Sequence, residues 1–324
     1  MRRTILVSAF AAGMLVLTWS RAAILPIDPS APVTAEMVAR GDPAAAMAGS
    51  PLALVGVWHL ESETRDFGGY SALIALSDGS LLAGSDTGTL LGIDDPGTAG
   101  MSGRYPELAV TEGRDKRDAD LEALTLDRAS GTIWGAYESS NAIERYSPGL
   151  ARLGRVTPAK MQRWRGNGGP EAMVRLADGR FLVLAEVSRR SAAEGHRAVL
   201  FAGDPTSGEQ GVGFAFAAPG GMRPVDMAEL ADGTVLVLLR SVEWYLPPRF
   251  GSAIAVLDPE RIEAGGLWKP ERVIPLPEAV PQENYEGLAV APAGQTGAAR
   301  LWLISDDNLS GLQRTLLVAL DWRP

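Results

Sequence analysis

The residues best equipped for chemistry in this chain are acids, and they recur in one pattern. A carboxylate opens a short apolar strand, a turn follows, and a second strand closes on another carboxylate. Leu121–Asn141 opens on Glu122 and closes on Glu138, and Pro170–Ser188 opens on Glu171 and closes on Glu186. Asn284–Asn308 opens on Glu286 and closes on Asp306 and Asp307. Val225–Val242 opens on Asp226 but carries Arg240 where the others close on an acid, and Ser71–Asp86 opens on Ser71 and closes on Asp86. β propensity does not call for acids at strand starts, so their repetition needs another reason. Acids gathered at one place repel and raise each other's pKa unless something compensates, and a divalent cation is the simplest compensation. Oxygen donors without thiolate or imidazole suit Ca²⁺ or Mg²⁺ better than zinc. The opening acids Glu122, Glu171, Asp226 and Glu286 are therefore the expected metal ligands. The closing acids Glu138, Glu186 and Asp306 are the expected general bases or water-positioning groups. Arg240 is expected to steady an anionic group of the substrate or to neutralise neighbouring acids.

Other chemistries are less well served. The two histidines, His59 and His196, fall outside the repeat positions, so Ser71 has no placed base for a Ser–His–acid mechanism. With no cysteine there is no thiolate nucleophile, disulfide or Cys-based zinc site. Arg65, Arg117, Arg165 and Arg223 precede the opening strands and read mainly as solvated surface, while Tyr70, Trp164 and Tyr285 read as packing residues that could line the site.

The elements that must position these acids follow from their spacing. Five copies begin at 71, 122, 171, 226 and 286, at intervals of 51, 49, 55 and 60 residues. Repeats of that length built from short strands are the signature of a β-propeller. Asp-Gly turns at 78–79, 178–179 and 232–233 join first to second strands. Four blades of four strands can be laid out, the first with Glu107–Val110 as its outer strand, and the fifth, from Glu286 onward, is one strand short. The apolar run Leu52–Leu60 supplies the missing strand and closes the ring without a free sheet edge. Five four-stranded blades are expected, with six the alternative if the loops at 94–120 or 258–285 hide a degenerate blade. In each blade the start of strand one and the end of strand two lie at the same end, which gathers both sets of acids at the channel mouth.

The net charge of −9, from 39 acids against 30 Lys and Arg, argues against nucleic acid as a partner. Arg2 and Arg3 followed by the uncharged apolar run Ile5–Trp19 and small residues before Ala22 read as a signal peptide over 1–22. An Ala/Pro-rich tether over 23–51 and the propeller over 52–324 complete the domain plan. The expected location is exported, periplasmic or secreted, with membrane contact only through an uncleaved signal segment and a monomer as the working unit.

The stretches DADLEALTLD (118–127), GGPEAMVRLADGRFLVLAE (168–186), NYEGLAVAP (284–292) and LWLISDDN (301–308) make the chain resemble the phytase-like propeller family, described by an esterase-like activity of phytase. The resemblance spans about Leu52 to Trp322. It implies hydrolysis of a phosphoester or related ester, with Glu122, Glu171 and Glu286 as the repeated glutamates and Asp306 and Asp307 as closing acids. The chain departs from that pattern at Ser71, at the shorter Asp226, and in lacking a lysine cluster for a polyanion such as phytate. The reading is an exported, metal-dependent ester or phosphoester hydrolase acting on a small molecule. The alternatives are a non-catalytic propeller that takes a cation or basic ligand, and a lactonase-like metal hydrolase.

Overall fold

Strands whose two faces are both covered need no polar alternation, and the middle strands of this protein show none. Leu81–Ser85 (LLAGS) is buried throughout, and Val235–Leu239 in the fourth blade is an unbroken buried run. The outermost strands differ: Arg152–Val156 and Ser102–Arg104 are largely exposed, as expected for blade edges facing solvent. The gradient from apolar inner strands to polar outer ones is what radial stacking of sheets requires.

The structure, a computed structural model, describes residues 28, 31–41, 50–64, 67–107, 119–164, 168–188, 195–243, 245, 249–291 and 298–323. The expected signal peptide lies outside these residues, as do Arg65, Arg117 and Arg165. Strands β1 (Val33–Arg40) and β2 (Leu52–Ser62) precede the first complete blade, which holds β3 (Tyr70–Ala75), β4 (Leu81–Ser85), β5 (Leu90–Asp94) and β6 (Ser102–Arg104). The second holds β7 (Leu121–Asp127), β8 (Thr132–Tyr137), β9 (Ala142–Tyr146) and β10 (Arg152–Val156). In the third are β11 (Pro170–Arg175), β12 (Phe181–Ser188), β13 (His196–Phe201) and β14 (Val212–Phe216). The fourth comprises β15 (Arg223–Glu229), β16 (Val235–Glu243), β17 (Arg249–Leu257) and, after β18 (Leu267–Trp268), the edge strand β19 (Arg272–Pro275). Here β18 leaves its own blade and pairs parallel with β14, giving the third blade a fifth strand. The last blade holds β20 (Tyr285–Ala291), β21 (Ala299–Ser305) and β22 (Leu316–Trp322).

The protein is thus a five-bladed, all-β propeller, and the six-bladed alternative is set aside by five sheets in the order expected for five repeats. The ring closes as expected: β2 pairs antiparallel with β22, with Leu52 opposite Trp322 and His59 opposite Leu316. Two further details depart from the sequence reading. Val33–Arg40, inside the expected tether, is a strand paired on β2, so the closing blade has five strands. The outer strand of the first blade is Ser102–Arg104 rather than 107–110; Glu107 follows it in a loop, and 108–110 lie outside the described residues. Both misreadings concern short or edge strands, whose half-exposed residues carry little apolar pattern. No described helix is long and apolar enough to cross a membrane.

The Asp-Gly turns form as the local chemistry dictates. Asp78, Asp178 and Asp232 each accept the backbone N–H two residues on, at 3.0, 2.9 and 3.0 Å. The glycine between takes a left-handed φ of +90°, +94° and +87° at Gly79, Gly179 and Gly233. The innermost strands β3, β7, β11, β15 and β20 surround the axis, which is bridged at two levels. Arg128 reaches across the end away from the mouth to the carbonyls of Ala75, at 3.1 Å, and Val290. Asp226 bridges it nearer the mouth.

Candidate functional site at the propeller mouth

Each innermost strand carries one β-bulge against its neighbour, and the bulge recurs at the same level in all five blades. The unpaired residues are Ser71, Glu122, Glu171, Val225 and Glu286. A bulge bends its strand, disrupts the ladder locally and re-aims the side chain of the extra residue. That explains how acids occupy strands that propensity would deny them. Four of the five opening positions are where the sequence spacing puts them, and the register corrects the fifth. Asp226 pairs with Leu238 one residue past the bulge, at the position held by Ala72, Ala123, Ala172 and Gly287 in the other blades. Its carboxylate is fully buried and accepts the backbone N–H of Met227 at 2.8 Å and of Leu288, in the next blade, at 2.7 Å. A backbone hydrogen bond from Leu73 also stabilises it. Asp226 is thereby a bridge among blades four, five and one, and its place in the acid ring is taken by Val225.

The closing positions are also in register. Asp86, Glu138, Glu186 and Asp306 donate their backbone N–H groups to Gly69, Asp120, Gly169 and Asn284 at 2.9, 2.9, 3.2 and 2.9 Å. Arg240 faces Arg223 at the same level. These partners, two residues before each bulge, form a third set of positions that includes two functional groups missed by the sequence reading, Asp120 and Asn284. The signal was present as a polar residue two places before the opening glutamate in DLE and NYE.

Three strands' ends converge on Glu138. One ligand oxygen from each of Asp120, Glu122 and Glu138 lies within 4.8 Å of the others, and the same holds for Glu138, Glu171 and Glu186. Glu122 and Glu171 are buried, whereas Asp120, Glu138 and Glu186 are partly open. The N–H of Gly169 points to Glu138 Oε1 at 3.3 Å, and Gly169 is needed there: a Cβ would stand 2.7 Å from both Asn141 Oδ1 and the Glu138 carbonyl oxygen. Asp120 is fixed by the Ser139 backbone N–H at 3.1 Å and by the Ser139 hydroxyl.

On the other side of the mouth the acids meet arginines. Arg240 Nη1 donates to Asn284 Oδ1 at 2.8 Å and to Glu286 Oε1, and its Nη2 donates to Glu186 Oε1 at 3.1 Å. Arg223 Nη1 reaches the same Glu186 oxygen at 2.7 Å. Asn284 Nδ2 ties Glu286 Oε1 at 2.9 Å to Asp306 Oδ2 at 3.2 Å, and Asp306 Oδ1 accepts the Asn308 N–H at 2.6 Å. Arg240 is therefore engaged by its acidic neighbours rather than presented to a substrate anion.

The electrostatics follow from this crowding. Burial first, then the charges of Glu286, Asp120 and Asp86, push the Glu122 carboxyl well above its ordinary range. Burial and the charges of Glu122 and Glu186 do the same to Glu171. Glu138 is raised by burial, an effect partly offset by a hydrogen bond with Glu171. Asp306 is raised by burial and by Glu286 and Asp86. Burial works against the charge on Arg240, but Glu286, Glu186, Glu171 and Asp306 outweigh it and hold the guanidinium more firmly protonated than usual. A cluster in which several carboxyls resist ionisation is one that gains from an added cation.

The remaining candidates are placed elsewhere. Tyr70, Tyr285 and Trp164 are buried in the core, and Tyr285 donates to the Pro281 carbonyl at 3.0 Å. His196 is buried with Nδ1 3.1 Å from the Ala185 carbonyl oxygen, and burial pulls its pKa down. His59 lies on β2 between Glu36 of β1 and Leu316 of β22.

Comparison with known proteins adds a family and several distant likenesses. In the comparison with curated proteins nothing matches. A gluconolactonase from Xanthomonas campestris is 14% identical, with 92% of this chain and 100% of that one covered and a TM-score of 0.46. A PQQ-bound aldose sugar dehydrogenase from Streptomyces coelicolor is 12% identical, with 89% and 98% covered and a TM-score of 0.45. The hydrazine synthase of Kuenenia stuttgartiensis is 12% identical at a TM-score of 0.41, over 74% of this chain and 57% of that one. The chain thus spans little more than half the length of that protein. The model of one family, described as "Phytase-like: Esterase-like activity of phytase", matches residues 65–309, a span that includes all five bulges and every acid of the mouth. Matched over about three quarters of its length, the chain belongs to the phytase-like family.

Proposed function

We propose that this protein is an exported, metal-dependent hydrolase that cleaves a phosphoester or related ester of a small molecule at the propeller mouth. The observation that carries the reading is Glu138, which stands in both carboxylate triads at once. The donor set fits Ca²⁺ or Mg²⁺: oxygen only, three to five carboxylates, part of the shell open to solvent. Asp120, Glu122 and Glu138 would hold the ion, with Glu171 and Glu186 on the far side of Glu138. When bound, such an ion supplies Lewis-acid polarisation of an ester oxygen and acidifies water.

The chain's own groups supply the rest. Burial of Glu122 and Glu171 limits water at the back of the site, and the ties from Gly169 and Ser139 hold Glu138 and Asp120 in place. Asp306 lies outside both triads and, among the described residues, forms no direct ion pair with an arginine. Burial and the charges of Glu286 and Asp86 raise its pKa above the ordinary carboxylate range, the direction that suits a group exchanging protons with substrate or water. Glu186, pinned by Arg223 and Arg240, orients rather than transfers. Support for the ester class comes from membership of the phytase-like family, and support for export from the sequence of residues 1–22.

The test is hydrolysis of p-nitrophenyl phosphate, bis-p-nitrophenyl phosphate, p-nitrophenyl acetate and a γ-lactone by the purified protein, with Ca²⁺, with Mg²⁺ and after chelation. Turnover of one class that chelation abolishes and that Asp306→Asn lowers by about 100-fold is the expected result. No turnover of any class, with metal bound, would leave a cation-binding propeller instead.

A further inference from the structure

Arg240 occupies in the fourth blade the position that Asp86, Glu138, Glu186 and Asp306 occupy in the others. Its side chain is only 15% exposed, and the side chains of Glu186 and Glu286 around it are 13% and 10% exposed. Three oxygens converge on the guanidinium: Asn284 Oδ1, Glu286 Oε1 and Glu186 Oε1. Asp306 stands behind them, held through Asn284. Two carboxylates and an amide carbonyl, with a third carboxylate nearby, are oxygen donors of the kind a hard divalent cation takes, with water completing its shell. Across the mouth the triad of Asp120, Glu122 and Glu138 has no ion pair with an arginine or lysine among the described residues. The mouth therefore has two places where carboxylates converge, and the protein has filled one of them with its own cation.

We propose that Arg240 is a built-in substitute for a second metal ion, and that it sets the number of exchangeable cations at the mouth by confining them to the Asp120–Glu122–Glu138 side. The inference rests on the metal reading for the first place and on the geometry around Arg240 for the second. A guanidinium is fixed to its strand and cannot exchange, so it neutralises Glu186 and Glu286 at all metal concentrations while leaving the other side to respond to the ion. Removing it leaves the buried Glu286 without a counter-charge and Glu186 with only the exposed Arg223, a costly state that a divalent ion would relieve.

The experiment counts ions. Wild-type protein, Arg240→Met and Arg240→Lys are stripped with chelator, dialysed against Ca²⁺, and assayed for calcium per chain by elemental analysis, with thermal unfolding followed with and without Ca²⁺. Arg240→Met is expected to hold one more ion per chain than wild type, and its melting temperature is expected to rise more on calcium addition. Arg240→Lys is expected to keep the wild-type count. A purely structural arginine would lower stability without changing the count. If Arg240→Met folds only with calcium present, that requirement itself supports the proposal. If it stays unfolded with and without calcium while Arg240→Lys folds, or folds with the wild-type count, the proposal fails. The two readings separate cleanly. Wild type binding one ion with no gain in Arg240→Met overturns this inference alone. Wild type binding none while Arg240→Met binds one overturns the first site and the confinement of ions to it, and keeps only the reading of Arg240 as a metal substitute.

Discussion

Asp226 Oδ2 accepts the backbone N–H of Leu288 at 2.7 Å, joining the innermost strand of the fourth blade to that of the closing blade. Leu288 lies two residues past the bulge at Glu286, so this bond fixes the strand that presents a mouth acid. Burial of Asp226 is complete, and each N–H left without an acceptor there costs about 1–3 kcal/mol. Asp226→Ala is therefore expected to lower stability by about 2–5 kcal/mol in urea unfolding. Asp226→Asn should recover only part of this, because its amide NH₂ would face N–H donors. Neither change should alter the number of metal ions bound. A lost ion in either variant would return Asp226 to the ligand set.

Gly169 is expected to be a sensitive glycine of the site. A methyl group there would stand 2.7 Å from the Glu138 carbonyl oxygen and 3.1 Å from Glu138 Cγ. Overpacking of this kind costs about 1–3 kcal/mol, and here the strain falls on the residue shared by both triads. Gly169→Ala should weaken calcium binding by about tenfold or more while the far-ultraviolet spectrum stays that of the wild type. Unchanged affinity would mean that Glu138 does not coordinate.

Stability should fall as pH rises in the metal-free protein. The carboxyls of Glu122, Glu171, Asp226 and Asp306 are all raised, by burial first. Between the unfolded carboxyl range, near pH 4 to 4.5, and the higher folded values, the native state holds more protons than the unfolded state. Stability contributed by these groups is present at and below that range and declines on moving from about pH 5 toward pH 8. Asp127 and Asp204, stabilised as carboxylates by hydrogen bonds, act with the opposite sign, and their contribution is lost as pH falls below about 4. Thermal unfolding in chelator should thus show a higher melting temperature near pH 5 than at pH 8. Added calcium should restore the pH 8 value. A melting temperature that rises steadily to pH 8 without metal would contradict the description of the mouth.

The repeat made much of this fold legible. Spacing of about 50 to 60 residues, Asp-Gly turns and an orphan strand before the first copy were enough to lay out five blades and their closure. The edge strands Val33–Arg40 and Ser102–Arg104 were not readable, because the first is exposed along most of its length and the second has only three residues, so neither carries an apolar alternation. At the site, the recurring acids at Glu122, Glu138, Glu171, Glu186, Glu286 and Asp306 could be read directly. What spacing could not supply was register. Asp226 aligns with the opening glutamates by eye, yet the fourth blade places its bulge at Val225, and one residue moves the carboxylate from the mouth ring to the axis. Asp120 and Asn284 escaped notice because their role depends on pairing across strands. The commitment of Arg240 to three acceptors likewise belongs to tertiary structure alone.

Calorimetric titration tests most directly whether the acids around Glu138 hold a cation. Chelator-stripped wild-type protein and the Glu138→Gln variant are titrated with Ca²⁺ and with Mg²⁺ at pH 7.5. Saturable binding of one of these ions by the wild type is expected, with loss of at least tenfold in affinity on replacing Glu138, the group common to both triads. Absence of binding by the folded wild type, or identical binding by Glu138→Gln, would contradict a cation site around Glu138.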